Sequence, residues 1–244
     1  MEYAWLNVIA VIAVVAVNAL ANALPINGQT TGEISNKLDV LFTPAGYVFS
    51  IWGLIYFLLF LWSIRQFPAA RRNAPVYRKA TPLHLLSSLL NIGWIFSWHY
   101  EYFLLSVIVM AALLLTLIAL YQRIKDEHSL WDTMPFSIYL GWICVATIAN
   151  ISYYLTFVNW KGFGLSDVSW TFIMLIAATL LAAVFAYKNR DPIFSFVFIW
   201  AFIGIGARNA DSYPSISYTA IILAAFILVL AILHYLNNTR SEVH

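Results

Sequence analysis

The chain has 244 residues, of which 62% are apolar, 17% aromatic and only 10% charged. A soluble domain averages ~45–50% apolar and ~25% charged. This sequence cannot cover a water-facing surface and reads as an integral membrane protein, with the lipid bilayer as its first partner. The net charge of +2 and the lack of a Lys/Arg stripe argue against a nucleic-acid partner. The single cysteine, Cys144, rules out an intramolecular disulfide.

Apolar stretches long enough to span lie near 4–24, 43–65, 81–98, 103–123, 135–158, 167–187, 192–208 and 215–236. Near its end the first carries Ala21-Asn22-Ala23, which looks like a signal-peptidase site. Glu2 is the only charged side chain before it, however, and the run is long for a signal peptide, so a retained helix is expected. Pro25-Ile26-Asn27-Gly28 ends this span. The loop 25–42 then mixes Gly, Thr, Ser and Asn with Ile34, Leu38, Val40 and Leu41. It is either a loop that folds down over the bundle or a surface loop with scattered apolar residues. Thr43-Pro44, Thr81-Pro82, Met134-Pro135 and Asp191-Pro192 are expected at helix starts, where proline is tolerated. Ser166-Asp167 is an expected N-cap region. The fold class is therefore an all-α polytopic membrane helix bundle of about eight spans.

Charge orients it. With eight spans and the N-terminus inside, the inner segments hold Arg65, Arg71, Arg72, Arg78, Lys79, Arg123, Lys125, Lys188, Arg190 and Arg240, ten of the thirteen basic residues. The outer segments hold Lys37, Lys161 and Arg208. The positive-inside rule then predicts both termini inside.

Three spans carry aromatic stripes at helical spacing. The second has Ala45, Phe49, Trp52 and Tyr56; the third has Asn91, Trp94 and Trp98; the fifth has Tyr139, Trp142, Ala146 and Asn150. Trp5, Trp62, Trp131, Trp160 and Trp170 lie near span ends and read as interfacial belt residues. Trp52 and Trp142 do not. At ~1.5 Å per residue, Trp52 is roughly 14 Å from the outer end of its span and Trp142 roughly 10 Å from the inner end of its own, so both lie mid-membrane. Indole N–H groups and the Asn91 and Asn150 amides at that depth need partners or a cavity.

These residues resemble the TspO/translocator-protein family, also called tryptophan-rich sensory proteins. The family's proline-led W-x-x-x-Y appears as Pro44 followed by Trp52-Gly53-Leu54-Ile55-Tyr56. Its N-x-x-W-x-x-x-F-F appears as Asn91, Trp94, then Trp98 and His99 in place of the two Phe. Its Y-x-x-W-x-x-x-A-T-x-x-N is matched in full by Tyr139, Trp142, Ala146, Thr147 and Asn150. The resemblance covers roughly 1–160, leaving 161–244 as three additional spans. It implies an aromatic pocket under the first loop, with Trp52 and Trp142 facing the ligand. It implies no obligatory cofactor but a porphyrin, haem-like or other hydrophobic small-molecule ligand, a sensing, chaperoning or regulatory role in a bacterial inner membrane, and a homodimer as an option. Trp98 and His99 then either close the mouth of that pocket or belong to the aromatic belt. Arg208 either pairs locally with Asp211 or clamps a ligand carboxylate, a match of guanidinium to carboxylate geometry.

No Lys, Arg, Asp or Glu falls mid-span, which leaves no Schiff-base lysine and no intramembrane carboxylate of the kind coupled transporters use. No nucleotide loop or HExxH motif occurs. Two rival functions stay open: a small-molecule exporter or facilitator, for which Gly141, Gly204 and Gly206 within spans would supply mobility, and a porphyrin-modifying enzyme.

Overall fold

A computed structural model describes residues 2–127 and 129–241, with backbone only for Glu2, Tyr235 and 237–241. Arg240, used above to orient the chain, is among these, so its side chain lies outside the description. The described residues form helices and no strand. In chain order they are α1 (Glu2–Ala23), a short α2 (Thr31–Asn36), α3 (Ile51–Ile64), α4 (Pro75–His99), α5 (Phe103–Ile124), α6 (Leu130–Phe157), α7 (Asp167–Asn189), α8 (Pro192–Arg208) and α9 (Pro214–Ser241). Six segments are long and apolar enough to cross a membrane: Tyr3–Ala23, Gly46–Ile64, Phe103–Ile124, Leu130–Phe157, Asp167–Asn189 and Pro214–His234. The chain is thus a multi-pass helical membrane protein. Helix α8 is apolar but 17 residues long. Helix α4 is diluted by His84, Ser87, Ser88, Asn91 and Ser97, all buried. Its polar residues face protein rather than lipid, as backbone-satisfied helices in a bilayer require.

Prolines mark the starts less cleanly than expected. Asp191 does cap α8, accepting from the Ile193 N–H at 3.0 Å, with Pro192 next to it. Ser166 accepts from the Ser169 N–H at 3.2 Å and caps α7. Pro82 and Pro135, in contrast, lie inside α4 and α6. Both helices begin one to two turns earlier, in segments too polar to count as hydrocarbon spans. Pro44 precedes a 3₁₀ turn, Gly46–Ser50, and regular α-helix starts only at Ile51.

Cα packing divides the chain into two compact units. The first is Met1–Leu38 with Ser50–Tyr154; the second is Asp39–Phe49 with Leu155–His244. In the first, α4 packs against α1, α2 and α5, and α1 against α3. Helix α6 is buried along most of its length. Its aromatic residues meet α3 through Trp52–Trp142 and Trp62–Phe136.

In the second unit α7, α8 and α9 pack on one another, and the 39–49 segment is stitched to α8. The Ala45 N–H donates to the Gly204 carbonyl (3.0 Å), Asn209 Nδ2 to the Leu41 carbonyl (3.0 Å) and Trp200 Nε1 to the Val48 carbonyl (3.0 Å). Gly204 is required here. A Cβ would lie 2.1 Å from Val48 Cγ2 and 3.1 Å from Pro44 Cβ. Gly206 plays the same part toward α9, where a Cβ would meet Ile221 Cδ1 at 2.9 Å. Both glycines serve close helix packing, which accounts for them without any hinge.

Candidate functional site: an aromatic cluster and its hydrogen-bonded cover

Helix α3 places Trp52 and Tyr56 one turn apart, so their rings stack at 5.4 Å between centroids. Helix α6 brings Tyr139 and Trp142 to the same indole. Tyr139 meets Trp52 edge-on at 5.9 Å and Trp142 does so at 6.2 Å. Trp52 is the hub. Tyr139 and Trp142 are buried, while Trp52 and Tyr56 are half-buried. Edge-to-face pairs of this kind are worth ~0.5–1.5 kcal/mol beyond their burial.

A polar ladder backs the cluster. Asn18 Nδ2 donates to Asn91 Oδ1 (3.0 Å), and Asn91 Nδ2 donates to the Tyr139 hydroxyl (3.1 Å). Asn91 also lies beside Tyr56, although the Tyr56 hydroxyl makes no hydrogen bond of ordinary geometry among the described residues. Asn18 is the member that sequence reasoning missed. Its signal was an amide inside the apolar first span, which in hydrocarbon has to find a partner.

Trp94, Trp98 and Asn150 form a second group. Trp94 stacks on Trp98 at 5.7 Å. Trp94 Nε1 donates to Asn150 Oδ1 (3.0 Å), and Asn150 Nδ2 donates to Ser106 Oγ (3.0 Å). Here the amide and the indole satisfy each other. Ala146 follows Trp142 by one turn on α6 and is half-buried.

The loop 25–38 folds onto the C-terminal end of α4. Asn27 Nδ2 donates to the His99 carbonyl (3.1 Å), and Trp98 Nε1 donates to the Thr31 carbonyl (3.4 Å). His99 is held at both ring nitrogens, with Nδ1 against the Ile26 carbonyl (3.1 Å) and Nε2 against Thr31 Oγ1 (2.9 Å). A carbonyl only accepts, so Nδ1 carries the proton and Nε2 accepts from the threonine. The Tyr153 hydroxyl donates to the Ile34 carbonyl (2.8 Å), under a loop helix that Thr30 and Glu33 close with a capping box.

The stretch 97–103 makes the turn that presents these groups. Tyr102 N–H bonds to the Ser97 carbonyl (2.9 Å) and Glu101 N–H to the Trp98 carbonyl (3.0 Å), a Schellman end. The left-handed slot at φ 60° is filled by Glu101 rather than by glycine. Its carboxylate accepts from Gln29 Nε2 (3.1 Å) and pairs with Lys37. The Lys37 ammonium first, then the Gln29 amide, hold the Glu101 carboxyl below its usual range.

The aromatic stripes of α3, α4 and α6 lie in the first unit together with the polar ladder and the folded-down loop. A family model described as TSPO-like protein matches residues 4–233. The chain belongs to the TSPO-like family. The match runs past residue 160 and through α7, α8 and most of α9. No curated protein and no solved structure matches the chain.

Of the expected site residues, Trp52, Tyr56, Tyr139, Trp142 and Asn91 come together. Trp94, Trp98 and Asn150 form the neighbouring hydrogen-bonded group, and His99 holds the loop. Phe49 and Arg208 belong to the second unit, Phe49 at the end of its 39–49 segment and Arg208 at the end of α8. Trp62 is not a belt residue. It is fully buried against Tyr77, His84 and Phe136, because the starts of α4 and α6 extend past the end of α3 and cover it. Trp5 and Trp131 are about half exposed, as belt residues are.

Proposed function

We propose that this TSPO-like protein binds a tetrapyrrole-like or other flat apolar ligand at the Trp52 cluster and serves as a binding, sensing or chaperoning protein of a bacterial inner membrane. The observation that supports this reading is the half-buried Trp52–Tyr56 stack, set edge-on to buried Trp142 and Tyr139. A flat π-system placed against these rings would gain the same offset or edge contacts that the rings make with each other. The walls carry no fixed charge, which suits an apolar macrocycle. The proposal does not rest on Arg208 or Phe49.

Titration of the purified chain with protoporphyrin tests it. Binding should quench tryptophan fluorescence and shift the porphyrin absorption band. The Trp52→Phe/Trp142→Phe double variant keeps bulk but removes both indoles, and it should bind at least tenfold more weakly with helicity unchanged. An unchanged affinity in the folded double variant would remove these residues from the site.

A further inference from the structure

The arginine-rich end of the first unit holds a second site, built from different residues. A cavity of about 350 Å³ opens there, lined among others by Tyr3, Gln66, Arg72, Asn73, Pro75 and Arg78. Three independent features of it favour an anion.

The first is charge. Arg72 and Arg78 both line the cavity, and no acidic side chain does so among the described residues. The neighbouring Arg71 is already neutralised by Asp132, whereas neither Arg72 nor Arg78 makes an ion pair among the described residues. Arg72 is anchored by one bond only, Nη2 to the Phe67 carbonyl at 3.3 Å, so most of its guanidinium donors remain for a guest.

The second is Gln66, only 2% exposed yet part of the cavity wall. Its Oε1 accepts from Asn7 Nδ2 at 3.2 Å, while its buried Nε2 has no hydrogen-bond partner. A buried amide donor left unmade is costly. With Oε1 committed to Asn7, Nε2 is the end left to donate.

The third is the start of α4. Pro75 takes the first helical position, and Ala74 before it offers no side-chain acceptor. The positive end of a 25-residue helix is therefore left without a cap beside the two arginines.

We propose that this cavity binds a phosphate group, carried either by an anionic phospholipid headgroup or by a free phosphate on the face that the positive-inside rule makes cytoplasmic. Guanidinium forks, an amide donor and a helix N-terminus all supply N–H groups to tetrahedral oxygens. Its lining shares no residue with the aromatic cluster.

Calorimetric titration of the full chain in a neutral maltoside detergent, with inorganic phosphate and with dihexanoyl phosphatidylglycerol as separate probes, tests the proposal. At least one probe should bind saturably, and the Arg72→Gln/Arg78→Gln variant, altered only at exposed side chains, should weaken it at least tenfold. Lys188→Gln/Arg190→Gln, which removes two charges from the second unit, should change it less than twofold. The tighter probe names the source of the phosphate. Gln66→Leu keeps both charges and should weaken binding at least threefold if the buried amide donates. Lack of saturable binding by either probe overturns the proposal. So does a loss below tenfold in the arginine variant, or an equal loss in the lysine–arginine control.

Discussion

Helix α4 carries two buried histidines, His84 in its N-terminal half and His99 at its C-terminal end, and their surroundings differ. His99 has a protein partner at each ring nitrogen. His84 is 1% exposed among Trp62 and Phe136, with the Asn7 backbone nearby, yet neither of its nitrogens makes a hydrogen bond of ordinary geometry. The contrast extends around them. At the C-terminal end of α4 the loop, Trp94, Asn150, Ser106 and Tyr153 satisfy one another. Around its N-terminal half Trp62 Nε1 and Gln66 Nε2 have no hydrogen-bond partner among the described residues. The first end is a hydrogen-bonded cover. The other keeps unused donors, which is what a site awaiting a polar guest would hold.

The most sensitive probe of this comparison is His99→Ala. It strands the Ile26 carbonyl and the Thr31 hydroxyl at a part-buried site, where each lost partner costs ~1–3 kcal/mol. A loss of about 2–3 kcal/mol in denaturant unfolding is expected, with faster amide exchange over residues 26–36. Exchange unchanged there would mean that His99 does not hold the loop. Next in size is Asn150→Leu, which removes the acceptor of Trp94 Nε1 and one partner of Ser106 Oγ. Because Ser106 Oγ still bonds to the Phe103 carbonyl at 2.8 Å, the cost should be about 1–2 kcal/mol. His84→Leu should lie within about 1 kcal/mol of wild type, since it exchanges an unsatisfied imidazole for an apolar side chain of similar size. A loss as large as that of His99→Ala would show that His84 is satisfied after all and would erase the comparison.

Much of this was legible in the sequence, for definite reasons. Among the described residues, helices appear where the apolar runs were expected, six of them long and apolar enough to cross a membrane, because each apolar run is bounded by turn chemistry. Helix rise placed Trp52 and Trp142 at similar depth and the family resemblance paired them, and their rings do meet edge-on. The aliphatic residues of the loop did mean burial, as Ile34, Val40 and Leu41 show. What escaped was long-range. Nothing in residues 39–49 announced that their backbone would bond to α8, because main-chain hydrogen bonds leave no side-chain signature. Trp62 read as interfacial because it lies near the end of the second span, whereas α4 starts at Pro75, ahead of the third span's expected start at 81, and its Tyr77 packs on that indole. His99 looked amphipathic because its partners, Ile26 and Thr31, contribute a carbonyl and a hydroxyl from a loop of unspecified path.

The smallest effect tests the outer cover at its rim. Glu101 occupies a left-handed slot that glycine fills at lower cost, and it binds Lys37 and Gln29 from there. A non-glycine residue in that conformation costs roughly 1–2 kcal/mol. The Lys37 pair is exposed and worth only ~0–1 kcal/mol. Glu101→Gly should therefore be neutral or slightly stabilising overall, whereas Glu101→Gln keeps the strain, loses the charge pair and should be destabilised by up to about 1 kcal/mol. The carboxyl is held below its usual range in the folded chain. Its contribution is therefore fully present above the unfolded value of ~4.3 and is lost as the pH falls through the lower folded value. The difference in stability between wild type and Glu101→Gln should accordingly be flat from about pH 5.5 to 7 and should shrink below about pH 4. Melting curves of both proteins across that range decide the point. If the gap persists undiminished in acid, the carboxylate's charge is not what holds Lys37, and the turn, not the ion pair, fixes the edge of the loop.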